Sequence, residues 1–196
     1  MARMTHSRLF QGLYLAATLF VCWFGFMAVH ELGHVLAAVV SGGRISQLVL
    51  HPFSISRTDL SVNPAPLTVT WMGPLLGCMI PTTTWWLAAS QFGRQTPSGL
   101  CQHLQFFAGF CLVANGVYIG AGSFTGVGDC GDMLKNGTPI WLMWLFGVLA
   151  ISAGMFTWHR LGSIRIFLAS PGQVNRVAGW ICIGLAGLLV VVGLCC

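Results

Sequence analysis

Five apolar runs follow one another along this chain, at Leu13 to Val40, Leu67 to Ala89, Leu100 to Ile119, Ile140 to Trp158 and Val177 to Cys196. Each comes close to the roughly 20 residues that a helix needs to cross the hydrocarbon of a bilayer. In that solvent every backbone N–H and C=O must be paired internally, so the runs are expected as helices rather than open strands. The balance of the 196 residues agrees, because only 7% are charged, 56% are hydrophobic and mean hydropathy is +0.79. Such a surface prefers lipid to water. The connections are too short for a separate soluble domain, and no repeat, charge block or low-complexity linker interrupts them. The expected architecture is therefore an all-α membrane protein, a single domain over residues 1–196. It would be a polytopic bundle of about five transmembrane helices, multi-pass in the cell membrane, with the lipid bilayer as its main neighbour.

The formal charge of +5 comes from nine dispersed Lys and Arg. Without clustering they form no track for a phosphate backbone, so nucleic acid is not an expected partner. Arg3, Arg8, Arg94, Arg160, Arg165 and Arg176 fall on one side of five spans, against Arg44, Arg57 and Lys135 on the other. The positive-inside rule then puts the N-terminus in the cytoplasm. The eight Cys lack zinc-ribbon spacing and read as small buried hydrophobes.

Local signals divide the chain further. Ser41-Gly42-Gly43 closes the first run, since glycine accepts the left-handed backbone that ends a helix. Between Arg44 and Thr70, alternation at Ile45, Gln47 and Val49 and again at Ile55, Arg57 and Asp59, broken by Pro52, Pro64 and Pro66, predicts a short interfacial β-hairpin. Gly73-Pro74 interrupts the second run and frees backbone groups that neighbouring helices must cover, which makes it an interior helix. Asn115-Gly116 reads as a turn at the end of the third run, and Asp129 to Leu134 as the start of a short helix.

Within the first run stands His30-Glu31-Leu32-Gly33-His34, the pattern H-E-x-x-H, and it holds the only glutamate of the chain. Given six His and one Glu, composition alone would produce it in about one such chain in a thousand. On a helix, residues four apart project from one face, so both imidazoles can bind one zinc ion. Glu31 then stands beside the metal without ligating it, in the general-base position of a metal hydrolase. The plainer alternative is two interior histidines hydrogen-bonded across helices.

A catalytic zinc needs a third protein ligand. A downstream Glu is impossible, and Ala37 and Val40 stand where the extended metzincin pattern would place Gly and His. Asp, His or Cys must serve. Ionisable groups among apolar segments are costly, and Glu31, Asp129 and Asp132 are three of the four acids present.

These blocks, in this order, resemble the site-2 protease family of intramembrane metalloproteases. His30 to Ala38 reads like its H-E-x-G-H-x-x-x-A, Ser41 to Ile45 like its Gly-Gly turn into a strand, and Gly73-Pro74 like the Gly-Pro of its second core helix. The family's aspartate follows a Leu-Asp-Gly motif, where this chain has Gly128-Asp129-Cys130-Gly131-Asp132. By that resemblance Asp129 is the third ligand. Asp132, one turn on, is the alternative ligand or else a partner that orients a histidine. Asn115 resembles an asparagine that helps the family hold substrate backbone; Cys130 could compete for the metal as a thiolate, with a packed thiol as the plainer role.

The function so implied is an intramembrane zinc endopeptidase. His30, His34 and Asp129 would bind Zn2+ and Glu31 would be the catalytic base. The partner would be a membrane protein or peptide substrate, held extended by the hairpin through edge pairing. Two other classes use the same residues: an inactive homologue that binds membrane segments as an adaptor, and a membrane metal or proton pathway relayed by His and Asp.

Overall fold

The computed structural model describes residues 2–51, 54–92, 100–161 and 176–195. Helix α1 (Ala2–Val40) leads into a two-stranded antiparallel sheet, β1 (Arg44–Val49) and β2 (Arg57–Val62). Then come α2 (Pro66–Phe92), α3 (Leu100–Gly122), the short α4 (Asp129–Lys135), α5 (Ile140–Leu161) and α6 (Arg176–Cys195). Arg94 and Arg165 and the side chains of Arg3 and Arg176, on which the orientation by positive charge rests, lie outside the described residues, as does Pro52.

Among the described residues, three helical stretches are long and apolar enough to cross a membrane: Arg8–Val40, Leu100–Gly122 and Ile140–Leu161. Helix α2 has the length but is diluted by Pro74, Pro81, five Thr and three Trp, and the last apolar stretch is described as a shorter segment, Gly179–Val191. Many large apolar side chains on these helices face outward, among them Trp86, Val148, Leu149 and Trp180. Lipid accommodates such a surface; water does not.

Helix α1 ends as its sequence predicts. Gly42 takes φ 78°, and the amides of Gly42 and Gly43 donate to the carbonyls of Val39 and Ala38, the paired bonds of a Schellman stop. The chain then turns back on itself. The hairpin pairs Leu48 with Thr58 and Val49 with Arg57, and β2 lies against α1 deeply enough for its side chains to reach Glu31, nine residues before the helix ends. At 1.5 Å per residue that is about 13 Å back along the axis. The hairpin is thus inserted beside α1 rather than resting at its end.

The helices pack in the sequence α6, α1, α2, α3, α5, with α4 tucked against α2 and α3. Two of these contacts depend on missing side chains. Gly116 and Gly120 of α3 meet Gly147 of α5 so closely that an added Cβ on Gly147 would come within 2.9 Å of the Gly120 Cα. That is how small residues spaced by four let helices associate in lipid. Asn115-Gly116 is therefore not a turn: both residues are buried inside α3, which runs on to Gly122. The sequence signal was misleading because Gly is also the residue that lets backbones touch. The second contact, of α1 with α2, builds the site.

Candidate metal centre

His30 and His34 project from one face of α1, and both are buried. Two glycines make this possible. A Cβ on Gly33 would strike the Met72 carbonyl of α2, so α1 and α2 approach backbone to backbone. A Cβ on Gly73 would strike the His34 imidazole and lie 3.0 Å from His30 Nε2, so the space left by that missing side chain is where the two rings sit. Pro74, fully buried beside it, is enclosed by neighbouring helices as its interior position requires.

Each ring is held from its far side. His30 Nδ1–H donates to Asn115 Oδ1 at 2.8 Å, and His34 Nδ1–H donates to the Val69 carbonyl at 2.8 Å. The Asn115 amide is fixed in turn, because its Nδ2 donates to the Cys111 carbonyl at 2.9 Å. Aromatic edges complete the frame, with Phe26 and Tyr118 at ring-centroid distances of 5.9 and 5.6 Å from His30. With Nδ1 carrying the proton, the Nε2 lone pairs point inward.

Asp129 meets them from the first turn of α4. Its Oδ2 lies 2.8 Å from His30 Nε2 and 3.3 Å from His34 Nε2, and the two Nε2 atoms are 3.1 Å apart. Three ligand-type atoms thus converge on one point, the only such His/Cys/Asp/Glu group among the described residues. A tetrahedral zinc with bonds near 2.0–2.1 Å would set its ligand atoms about 3.3 Å apart, close to the spacing seen. The same atoms lie within hydrogen-bonding distance of one another. Burial opposes the charge on Asp129, yet the hydrogen bonds and charges of His30 and His34 outweigh it and hold its carboxyl below the usual carboxylate range. Two imidazole nitrogens and a carboxylate oxygen gathered in this way could hold a metal ion, and a divalent metal fits the donor set.

The other residues singled out by sequence are placed less uniformly. Asp132 does not reach either histidine: its side chain is 58% exposed and pairs with Lys135 Nζ at 3.2 Å. It lies one helical turn further along α4 than Asp129 and also lines the cavity. Asn115 is wholly buried, and its amide is spent on His30 and Cys111 rather than on the cavity wall. Cys130 is fully buried, its Sγ facing the Tyr118 and Ile119 carbonyls, and burial together with the nearby Asp129 charge pushes the thiol up to about 11. It is a packed thiol. His103 of α3 bonds the Tyr14 hydroxyl of α1.

Glu31 is buried beside His30, and both of its oxygens are engaged. Ser56 Oγ donates to Oε1 and Thr58 Oγ1 donates to Oε2, each at 2.6 Å. Sequence reading missed these two partners and the Val69 carbonyl. A backbone acceptor leaves no mark in the sequence, and Ser-x-Thr in a strand is too common to signal anything. A cavity of about 1020 Å3 opens onto His30, Glu31, His34 and Asp129. Its other walls are the consecutive residues Ile55 to Leu60 and an apolar face that includes Trp23, Phe26, Phe110, Val117 and Trp158. Comparison with known protein families, with characterised proteins and with solved structures finds no match to this chain.

Proposed function

We propose that this protein is an intramembrane zinc endopeptidase that hydrolyses a peptide bond of a membrane protein substrate, with five helices crossing the bilayer. The observation that carries the reading is the convergence of His30 Nε2, His34 Nε2 and Asp129 Oδ2 beside a buried glutamate at the wall of a largely apolar cavity. Bound zinc would supply a Lewis acid for the scissile carbonyl and make a water at the metal easier to deprotonate. The chain itself would do the rest. His30, His34 and Asp129 hold the ion, and Asn115 and Val69 fix the tautomer that exposes each Nε2. Glu31 accepts the proton of the attacking water and returns it to the leaving amine.

Substrate placement follows from β2. It is hydrogen-bonded to β1 on one side, and its other edge carries no strand among the described residues. Residues on both faces of that strand border the cavity, which is what a strand presenting its edge to a cavity does. A substrate segment unwound from a helix would add to that edge and lie across the metal centre.

The test is metal content with cleavage of membrane-protein reporters by purified protein in lipid. Glu31→Gln should retain zinc and lose proteolysis, because the amide preserves shape and cannot take a proton. Asp129→Ala should lose most of the zinc. Full activity in Glu31→Gln would sink the mechanism, and full zinc occupancy in Asp129→Ala would remove the third ligand.

A further inference from the structure

Both oxygens of Glu31 are taken by hydroxyls from one short stretch, Ser56 just before β2 and Thr58 within it. Ser56 and Thr58 are two residues apart, so on extended backbone they share a face, and that face meets α1. Arg57 and Asp59, on the opposite face, pair with each other at 3.0 Å. The alternation thus puts two hydroxyls on a buried carboxylate, one per oxygen.

Ionised carboxylates accept through about four lone-pair positions. The two hydroxyls use one on each oxygen, and Glu31 itself lines the cavity. Short O–H···O− bonds of this kind are among the stronger ones, and a pair of them fixes the carboxylate's plane as well as its position. They also fasten β2 to α1, since no other described side-chain hydrogen bond joins the two.

We propose that Ser56 and Thr58 are positioning residues for Glu31, so that the strand whose free edge faces the cavity also sets the orientation of the base. This rests on the endopeptidase reading for its catalytic consequence, while the clamp itself does not. A substrate segment pairing with β2 would then be registered against the same strand that holds Glu31. The distance from scissile bond to base is fixed by one rigid element rather than by two that move independently.

The experiment uses the fact that Glu31 is the only glutamate. Full-length protein made by cell-free synthesis with carboxyl-13C glutamate, in lipid nanodiscs, has one labelled carboxylate stretch in its infrared spectrum. Ser56→Ala and Thr58→Val should each shift and broaden that band, and the double variant should shift it further. Ser56→Thr and Thr58→Ser keep the donors and should leave it at the wild-type position, which a merely structural role would not require.

On a cleaved reporter, the hydroxyl-deleting variants should lower kcat by about 10-fold each with little change in KM, the range typical of groups that orient a catalytic residue. The hydroxyl-retaining variants should recover it. An unshifted band in the double variant overturns the proposal whatever the activity. A shifted band with unchanged kcat overturns the positioning role. Shifted bands in the hydroxyl-deleting variants, together with a wild-type protein that cleaves nothing, would uphold the clamp and refute the endopeptidase reading.

Discussion

The α1–α2 and α3–α5 contacts are both made by glycine, and they use the space differently. Between α3 and α5, Gly116, Gly120 and Gly147 let main chain rest on main chain, and the gain is dispersion contact in a solvent that offers no hydrophobic drive between helices. Between α1 and α2, Gly33 gives the same backbone approach, whereas the room at Gly73 is filled by two imidazole rings. The same small residue closes one seam and furnishes the other. A glycine in a membrane helix therefore carries no single meaning, and what stands opposite it decides.

The largest effect that would break this contrast is at Gly73. Gly73→Ala places a methyl where the His34 ring lies, and zinc should fall from one per chain to near none. Gly147→Ala should destabilise by about 1–3 kcal/mol through overpacking and leave zinc stoichiometry unchanged. Metal analysis and thermal unfolding in the same detergent would separate the two. Equal zinc loss in both variants would show that the α1–α2 glycine has no special relation to the metal.

A smaller effect distinguishes the groups behind the ligands. Asn115→Ala removes the acceptor that fixes His30 and should weaken zinc binding by about 10 to 100-fold. Asp132→Ala, at an exposed side chain paired with Lys135, should change it by no more than about 2-fold, the scale of a surface pair. Competition with a zinc chelator of known affinity measures both. The reverse order would return Asp132 to the site.

The smallest effect is at Cys130. Its thiolate forms only as pH rises toward about 11, since burial and Asp129 both disfavour the charge. Alkylation at pH 8 should leave it unmodified by mass spectrometry in folded protein and modify it fully after denaturation. Modification of the folded protein at pH 8 would show a more open α3–α4 contact.

Much of the site was legible because it is local. His30, Glu31 and His34 lie within five residues, and helical periodicity alone brings the two rings to one face. The stop at Gly42-Gly43 and the strands on either side of Pro52 were readable for the same reason, each being decided by a few neighbouring residues. Asn115-Gly116 was misread because a turn and a packing seam use the same residue types. Asp132, one turn from Asp129, resembled a partner in sequence, but its side chain is exposed and paired with Lys135.

The sequence by itself determined an apolar helical chain, an H-E-x-x-H pair on one helical face, and Asp129 and Asp132 as the acids weighed for a third ligand. The choice among those acids was made by tertiary structure. Asp129 lies 99 residues from His30 in the chain, and only the docking of α4 against α2 and α3 brings its Oδ2 within 2.8 Å. Tertiary structure also decided that Asn115 serves His30 and that Ser56 and Thr58 hold Glu31. Hydrogen bonds need heavy atoms within about 3 Å and aligned. Between residues remote in sequence, the packing of helices and hairpin sets such a geometry, which no local pattern encodes.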